Sequence, residues 1–227
     1  MLHANEQSMA AGDIERHWHE RPYAVLVIEG CYGEAGLRGR WDMEPGDVVV
    51  HQGFEAHQNV IKSGGARVIN IPLPHGTFAA GVFAVSDPEH LLATARSNDL
   101  EPLEHLKPVQ RKSPRMTDWM DVLAVELNDP ELRISDWADR GGIALETVSR
   151  GFRAAFGIGP ARFRRELQVQ AALLDITVTT RSLAAIAADR GFADQPHLTR
   201  SVSAMTGKSP GEWRQVKSIQ DCQSRLT

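Results

Sequence analysis

The chain has 227 residues, 42% of them apolar and 24% charged, a composition that fits one large or two small globular domains and not a fibrous or disordered chain. No run reaches 18 apolar residues, and the opening MLHANEQSMAAGDIERHW has no apolar stretch behind a basic head, so neither a membrane span nor a secretory leader is expected. The net charge of −4 hides an asymmetry: residues 1–107 hold 8 basic against 15 acidic side chains, and residues 132–217 hold 13 against 8. That pattern fits a second half that faces a polyanion, or ordinary surface charge.

The first half reads as β structure. YAVLVIEG (23–30), GDVVVH (46–51) and ARVINIPL (66–73) are short β-branched runs bounded by Gly and Pro, as in antiparallel strands of a sandwich or barrel. DPEHLLATARSND (87–99) then predicts a short helix with an Asp cap and Pro in its first turn. The Pro-rich, charged stretch EPLEHLKPVQRKSP (101–114) reads as a linker. From TDWMDVLAVELND (117–129) onward the apolar residues fall at helical spacing. The expected division is residues 1–86, a helix and linker over 87–114, and a helical domain over 115–227. Cys31 and Cys222 lie in different halves and make no disulfide framework, so a reducing, cytoplasmic setting is expected.

The helical part repeats itself. ADRGGIALETVSRGFRAAFGIGPARFR (138–164) aligns without gaps on ADRGFADQPHLTRSVSAMTGKSPGEWR (188–214), with nine of 27 positions identical where roughly two are expected by chance. Each copy predicts a short helix, a Gly turn and a second helix: 134–140 and 145–156 in the first copy, 182–190 and 195–206 in the second. The second helix has two faces in each case. Val148, Phe152, Ala155 and Phe156 point inward in copy one, and Leu198, Val202 and Met205 in copy two. Glu146, Ser149, Arg150 and Arg153 point outward in copy one, as do Thr199, Arg200 and Ser203 in copy two, with Gln195 and His197 at the helix start. This is the plan of a helix-turn-helix, whose second helix enters the major groove. The equivalent Arg150 and Arg200 are placed to reach guanine or a phosphate. An ordinary helical bundle with solvated arginines is the competing reading. Between the copies, 161–175 predicts a connecting helix about 22 Å long.

Residues 132–217 resemble the AraC/XylS-type DNA-binding domain. The motif is IAADRGFADQPHLTRSVSAMTGKSPGEWR (186–214), with WADRGGIALETVSRGFRAAFGIGPARFR (137–164) as the first unit. The resemblance implies seven helices, two of them reading successive major grooves. It implies base contacts from Glu146, Ser149 and Arg150, then Gln195, His197 and Arg200, with Thr147 and Arg153 flanking. Val202 and Thr206 stand where the family usually carries larger aromatic residues, and Glu146 is acidic on a DNA-facing helix.

HWHERPYAVLVIEG (17–30) and MEPGDVVVHQGFEAHQN (43–59) resemble the two cupin motifs, which implies a cupin-like antiparallel β-barrel that senses an effector. His17, His19, Tyr23, His51 and His57 are the implied effector-binding residues. His17, His19 and His57 match three metal ligands, suited to Zn²⁺, Fe²⁺ or Ni²⁺. The fourth ligand position falls on Tyr23 in place of Glu, with Glu34 and His51 as substitutes.

The expected fold is therefore α+β with two domains: the barrel, then an all-α domain with two helix-turn-helix units. The expected function is a transcription regulator that binds double-stranded DNA and responds to a small molecule, not an enzyme. Further expected partners are a second copy of the chain, through HLLATAR (90–96), and RNA polymerase if the protein activates. The alternatives are a metal-dependent cupin enzyme fused to a helical domain, and a DNA binder without sequence preference.

Overall fold

The structure, a computed structural model, describes residues 3–74, 78–97, 111–112, 116 and 118–215. Most of the expected linker 101–114, and Cys222, lie outside these residues. The chain divides into two compact units: residues 1–126 with 146–158, and residues 127–145 with 159–227.

The first unit is built on β1 (Asn5–Met9), β2 (Gly12–His17), β3 (Tyr23–Gly36), β4 (Gly39–Met43), β5 (Asp47–His51), β6 (His57–Pro72), β7 (Gly81–Ala84) and β8 (Arg111–Lys112). All pair antiparallel, in the order β1-β6-β3-β5-β7-β8, with β2 added on β6 and β4 on β3. The sequence reading ended the first strand at Gly30 and began the third at Ala66. The structure instead carries both strands through these points. Tyr23 to Gly30 pair with Pro72 to Ala66, and Tyr32 to Gly36 then pair with Ile61 to His57, with register shifts beside Gly30. Gly30 has φ 72°, and a Cβ there would overlap the carbonyl oxygen of Gly65. Only glycine allows this close approach of the two backbones.

Alternation along the strands separates two cores. Val25, Val27, Val49, Val68 and Val82 join Tyr32, Trp41, Met43 and Ile61 from the far parts of the bent strands. Ala24, Leu26, Val48, Val50, Ile69 and Ile71 face the other way, where Leu91 and Ala95 of α1 (Pro88–Arg96) cover them. The α1 helix is capped as expected, Asp87 accepting from the His90 N–H at 2.9 Å. The expected closed barrel is corrected to an open sheet. Among the described residues β1 and β8 end the strand order and do not pair with each other. Strand β1, NEQSM, has four exposed residues of five and no apolar face to bury against a closing neighbour.

Helix α2 (Trp119–Glu126) packs on β4. The Arg40 guanidinium grips both carboxylate oxygens of buried Asp121 at 2.7 Å and Asp118 at 2.8 Å. The helix over Leu145–Phe156, α4 here, belongs to this unit from Glu146 on.

The second unit holds α3 (Ile134–Arg140), α5 (Pro160–Val178), α6 (Leu183–Asp189), α7 (Gln195–Thr206) and the helical residues 210–215. The connecting helix α5 is 19 residues long, about 28 Å, and so longer than the sequence suggested. Helices α5, α6 and α7 pack on one another. Phe163, Val169, Leu173, Ile176, Ile186, Leu198 and Val202 are fully buried there. Trp213 is buried too and donates to the Thr206 hydroxyl at 2.9 Å.

Candidate DNA-binding helices and histidine cavity

The turn between α6 and α7 follows from its residues. Ser182 caps α6 by accepting from the Ala185 N–H at 3.2 Å. Gly191, at φ 71°, reverses the chain. Asp194 then caps α7, its carboxylate accepting from the His197 N–H at 2.6 Å. One face of α7 buries Leu198 and Val202. Gln195 and Arg200 are exposed on the other, and Thr199 and Ser203 are half-buried. Met205, expected inside, is half-buried as well.

His197 behaves differently from its neighbours. Its ring lies edge-on to Phe192, Arg165 of α5 reaches its Nε2, and the Ala193 N–H lies 3.3 Å from its Nδ1. A neutral imidazole has one acceptor nitrogen, so one of these two approaches is a hydrogen bond at a time. Arg165 also donates to Ser201 Oγ at 3.2 Å and stacks over Phe192. It thus ties α5 to the start of α7. Sequence reasoning missed Arg165, which lies outside both repeats' recognition helices.

On α4, Val148, Phe152 and Phe156 are fully buried while Ala155 is half-buried. Glu146, Thr147, Arg150 and Arg153 are exposed and Ser149 is half-buried. Glu146 and Arg150 form an open i,i+4 pair at 3.8 Å with side chains 87% and 73% exposed, too wet to fix either group. The other end of α4 is held within its unit. Arg16 donates to the Phe156 carbonyl at 3.3 Å, and Arg40 stacks over the Phe156 ring. Gly151 accommodates the Trp119 ring where any Cβ would collide.

The first unit also contains a cavity of about 590 Å³. All five expected effector residues, His17, His19, Tyr23, His51 and His57, line it. His17 ends β2 and pairs with His57 at the start of β6. His19 lies beyond the end of β2. It returns to the cluster because its carbonyl accepts from the Phe54 N–H at 2.7 Å.

One potential ligand atom from each of His17, His19 and His57 lies within 4.8 Å of the others. The Nδ1 atoms of His17 and His57 lie 2.8 and 3.2 Å from the carbonyl oxygens of Glu15 and Glu55. A carbonyl only accepts, so each Nδ1 carries a proton, which leaves Nε2 as the nitrogen that can turn to a metal. Carbonyl partners orient metal-binding imidazoles in this way. The Tyr23 hydroxyl donates to the His57 Nε2 at 3.2 Å and would have to release it to a metal. Burial, then the charges of His51 and His17, hold His57 well below its ordinary range. Desolvation, then His17 and His51, brings His19 to about 4. Both rings are therefore neutral near pH 7, as metal ligation requires. The residues fit a divalent metal.

The far side of the cavity differs. Buried His51 lies 3.5 Å from buried Glu34. Desolvation alone would lower the His51 pKa, but the neighbouring Glu34 carboxylate outweighs it and raises the group. Glu34 Oε2, His51 Nδ1 and Asn59 Oδ1 are buried without a hydrogen bond among the described residues, and all three residues line the cavity. Buried polar atoms of this kind are the ones a bound ligand or water satisfies. Asn59 was missed from the sequence, although it sits two residues after His57 on one strand and so shares its face.

Residues 137–216 match the family described as a helix-turn-helix domain. The chain is 29% identical over 187 residues to the transcriptional activator NphR of a Rhodococcus species, covering 82% of this chain and 48% of NphR. It is 27% identical over 100 residues to the arabinose operon regulatory protein of Salmonella typhimurium, covering 44% of this chain and 36% of that protein. The chain thus spans about half the length, or less, of the curated relatives it matches. A solved structure of a probable AraC family transcriptional regulator from Rhodopseudomonas palustris is 22% identical, covers 43% of this chain and 92% of its own, and has a TM-score of 0.37. Residues 137–216 of this chain thus match the helix-turn-helix domain family.

Proposed function

We propose that the protein is a sequence-specific DNA-binding transcription regulator with two base-reading helices, α4 and α7, controlled by a small molecule in the histidine cavity. The observation that carries this reading is α7. It is a capped helix with a fully buried apolar face, held by α5 and α6, that presents Gln195 and Arg200 to solvent. A helix set after a tight turn in this way is what major-groove recognition uses. The repeat supports assigning Glu146, Ser149 and Arg150 of α4 to the same task, with Thr147 and Arg153 toward the phosphates. His197, engaged by Arg165, acts in positioning α7. Within this reading, residues 115–227 contain the DNA-binding region and residues 1–86 the sensor.

The sensor ligand meets two chemistries. Imidazole lone pairs at one end suit a divalent transition metal or a hydrogen-bond donor. The unsatisfied oxygens of Glu34 and Asn59 at the other end suit hydroxyl or amine donors. The decisive experiment is selection of bound duplexes from a random DNA pool by the full chain. A consensus of two half-sites is expected. Arg150→Ala and Arg200→Ala should each weaken binding to it by about 1–3 kcal/mol, roughly five- to 150-fold. No enrichment of any sequence at fixed salt would reject sequence-specific reading.

A further inference from the structure

We propose that Arg16 and Gln58 couple the histidine cavity to helix α4, so that occupancy of the cavity changes how firmly the C-terminal end of that helix is held. The inference deepens the regulatory reading above and rests on it for its purpose. Its structural basis is strand alternation. His57 and Gln58 are neighbours on β6 and project to opposite sides of the sheet; Arg16 precedes His17 at the irregular end of β2, and neither Arg16 nor Gln58 lines the cavity. His17 and His57 line the cavity. On the reverse side the Arg16 guanidinium donates to the Ala56 carbonyl at 3.1 Å, the Ala35 carbonyl at 3.2 Å and the Phe156 carbonyl at 3.3 Å. One cation therefore joins three backbone segments: the β6 entry beside His57, the end of β3 beside Gly36 (the residue paired with His57), and the last turn of α4.

The last four carbonyls of a helix lack partners within it, and a cation there also meets the negative end of the helix dipole. Arg16 does both for α4. Gln58 adds a steric contact, since its amide lies where a Cβ on Gly157 would be. The equivalent position of the second copy, Gly207, has the same left-handed backbone at φ 73° with nothing within 4 Å of such a Cβ. The contact is thus particular to the first copy.

A ligand that draws His17 and His57 together shifts the same two strand ends that carry Arg16 and Gln58. A coupling between sites is reciprocal, so loosening the α4 end must in turn loosen the histidine cluster.

The test is amide hydrogen exchange on the full chain, read on peptides spanning 151–158, for the wild type, His57→Asn, Arg16→Ala, the double variant and Arg16→Lys. His57→Asn is expected to speed exchange there about tenfold when Arg16 is present and to add little once Arg16 is gone, because independent effects would add. Arg16→Lys, which keeps a donor and the charge, is expected to restore part of the protection. His17→Asn, on the edge strand β2, serves as a second cavity variant should His57→Asn fail to fold. Additive effects, or unchanged exchange at 151–158 in the folded histidine variants, would overturn the coupling. No DNA enters this readout, so failure of the DNA-binding reading would be seen separately.

Discussion

Replacing Arg40 with Met tests what holds α2 on the sheet. The guanidinium makes a two-pronged contact to Asp121, whose side chain is 1% exposed, while Arg40 itself is 13% exposed and Asp118 31%. Were the pair on the surface, its loss would cost at most about 1 kcal/mol. With Asp121 buried, removing its cation leaves a carboxylate in low dielectric, and breaking such a pair costs about 3–5 kcal/mol. The lower end is expected, because Asp118 stays partly wetted. At a urea slope of about 2 kcal/mol/M, a loss of about 3 kcal/mol moves the midpoint down by roughly 1.5 M. Trp119 sits on the same helix and reports the transition by fluorescence. The double variant Arg40→Met/Asp121→Leu should recover much of the loss, since no charge is then left buried. A midpoint shift under about 0.3 M for Arg40→Met would refute the assignment. The pH dependence follows with a definite sign. Burial raises the Asp118 pKa, but the Arg40 hydrogen bond and charge outweigh it and leave the group below its ordinary value. Its contribution is therefore present above the unfolded carboxylate range and is lost as the pH falls through the lowered value.

Three further outcomes are expected. Asp194→Ala removes the α7 cap and should destabilise the second unit by about 1 kcal/mol, read as a lower calorimetric midpoint; an unchanged midpoint would remove the cap from the account. Gly207→Ala should cost about 1 kcal/mol from its left-handed backbone alone, and Gly157→Ala measurably more because of Gln58; equal losses in urea melts would show that the Gln58 contact has no weight. Added Co²⁺ should give visible ligand-field absorption in the wild type and lose it in His57→Ala; absence of the bands in the wild type would leave the cavity to an organic ligand.

Local signals were legible where the chemistry is local. Asp87 and Asp194 announced their helices, and the β-branched runs gave the middles of β3, β5 and β6. The histidine cluster was legible from the cupin-like HWH and His57, although His19 reaches it through the backbone bond to Phe54 and not by strand alternation. What escaped notice was nonlocal or polar. Gly30 looked like a strand end but is a bend, because its meaning depends on Gly65 approaching from another strand. The exposed β1 has no apolar alternation to detect. Gly151 gives no hint in sequence that it makes room for Trp119, and Arg165 gives none that it holds His197.

The arginines of the helical half carry a last consequence. Arg190 is clamped by Asp175 at 2.8 and 3.1 Å, Arg181 sits between Asp175 and Asp189, and Arg164 and Arg214 are turned onto the Leu132 and Arg181 carbonyls. Much of the basic excess is therefore structural mortar, unable to displace the cations condensed around a duplex. Arg153 and Arg200, which form no ion pair among the described residues, and the loosely paired Arg150 are the arginines of α4 and α7 left for that work. With so few sites of displacement, affinity should fall with salt on a gentle logarithmic slope of about −3 to −5. Discrimination among sequences would then survive at ionic strengths where a chain that clings mainly by charge has already let go.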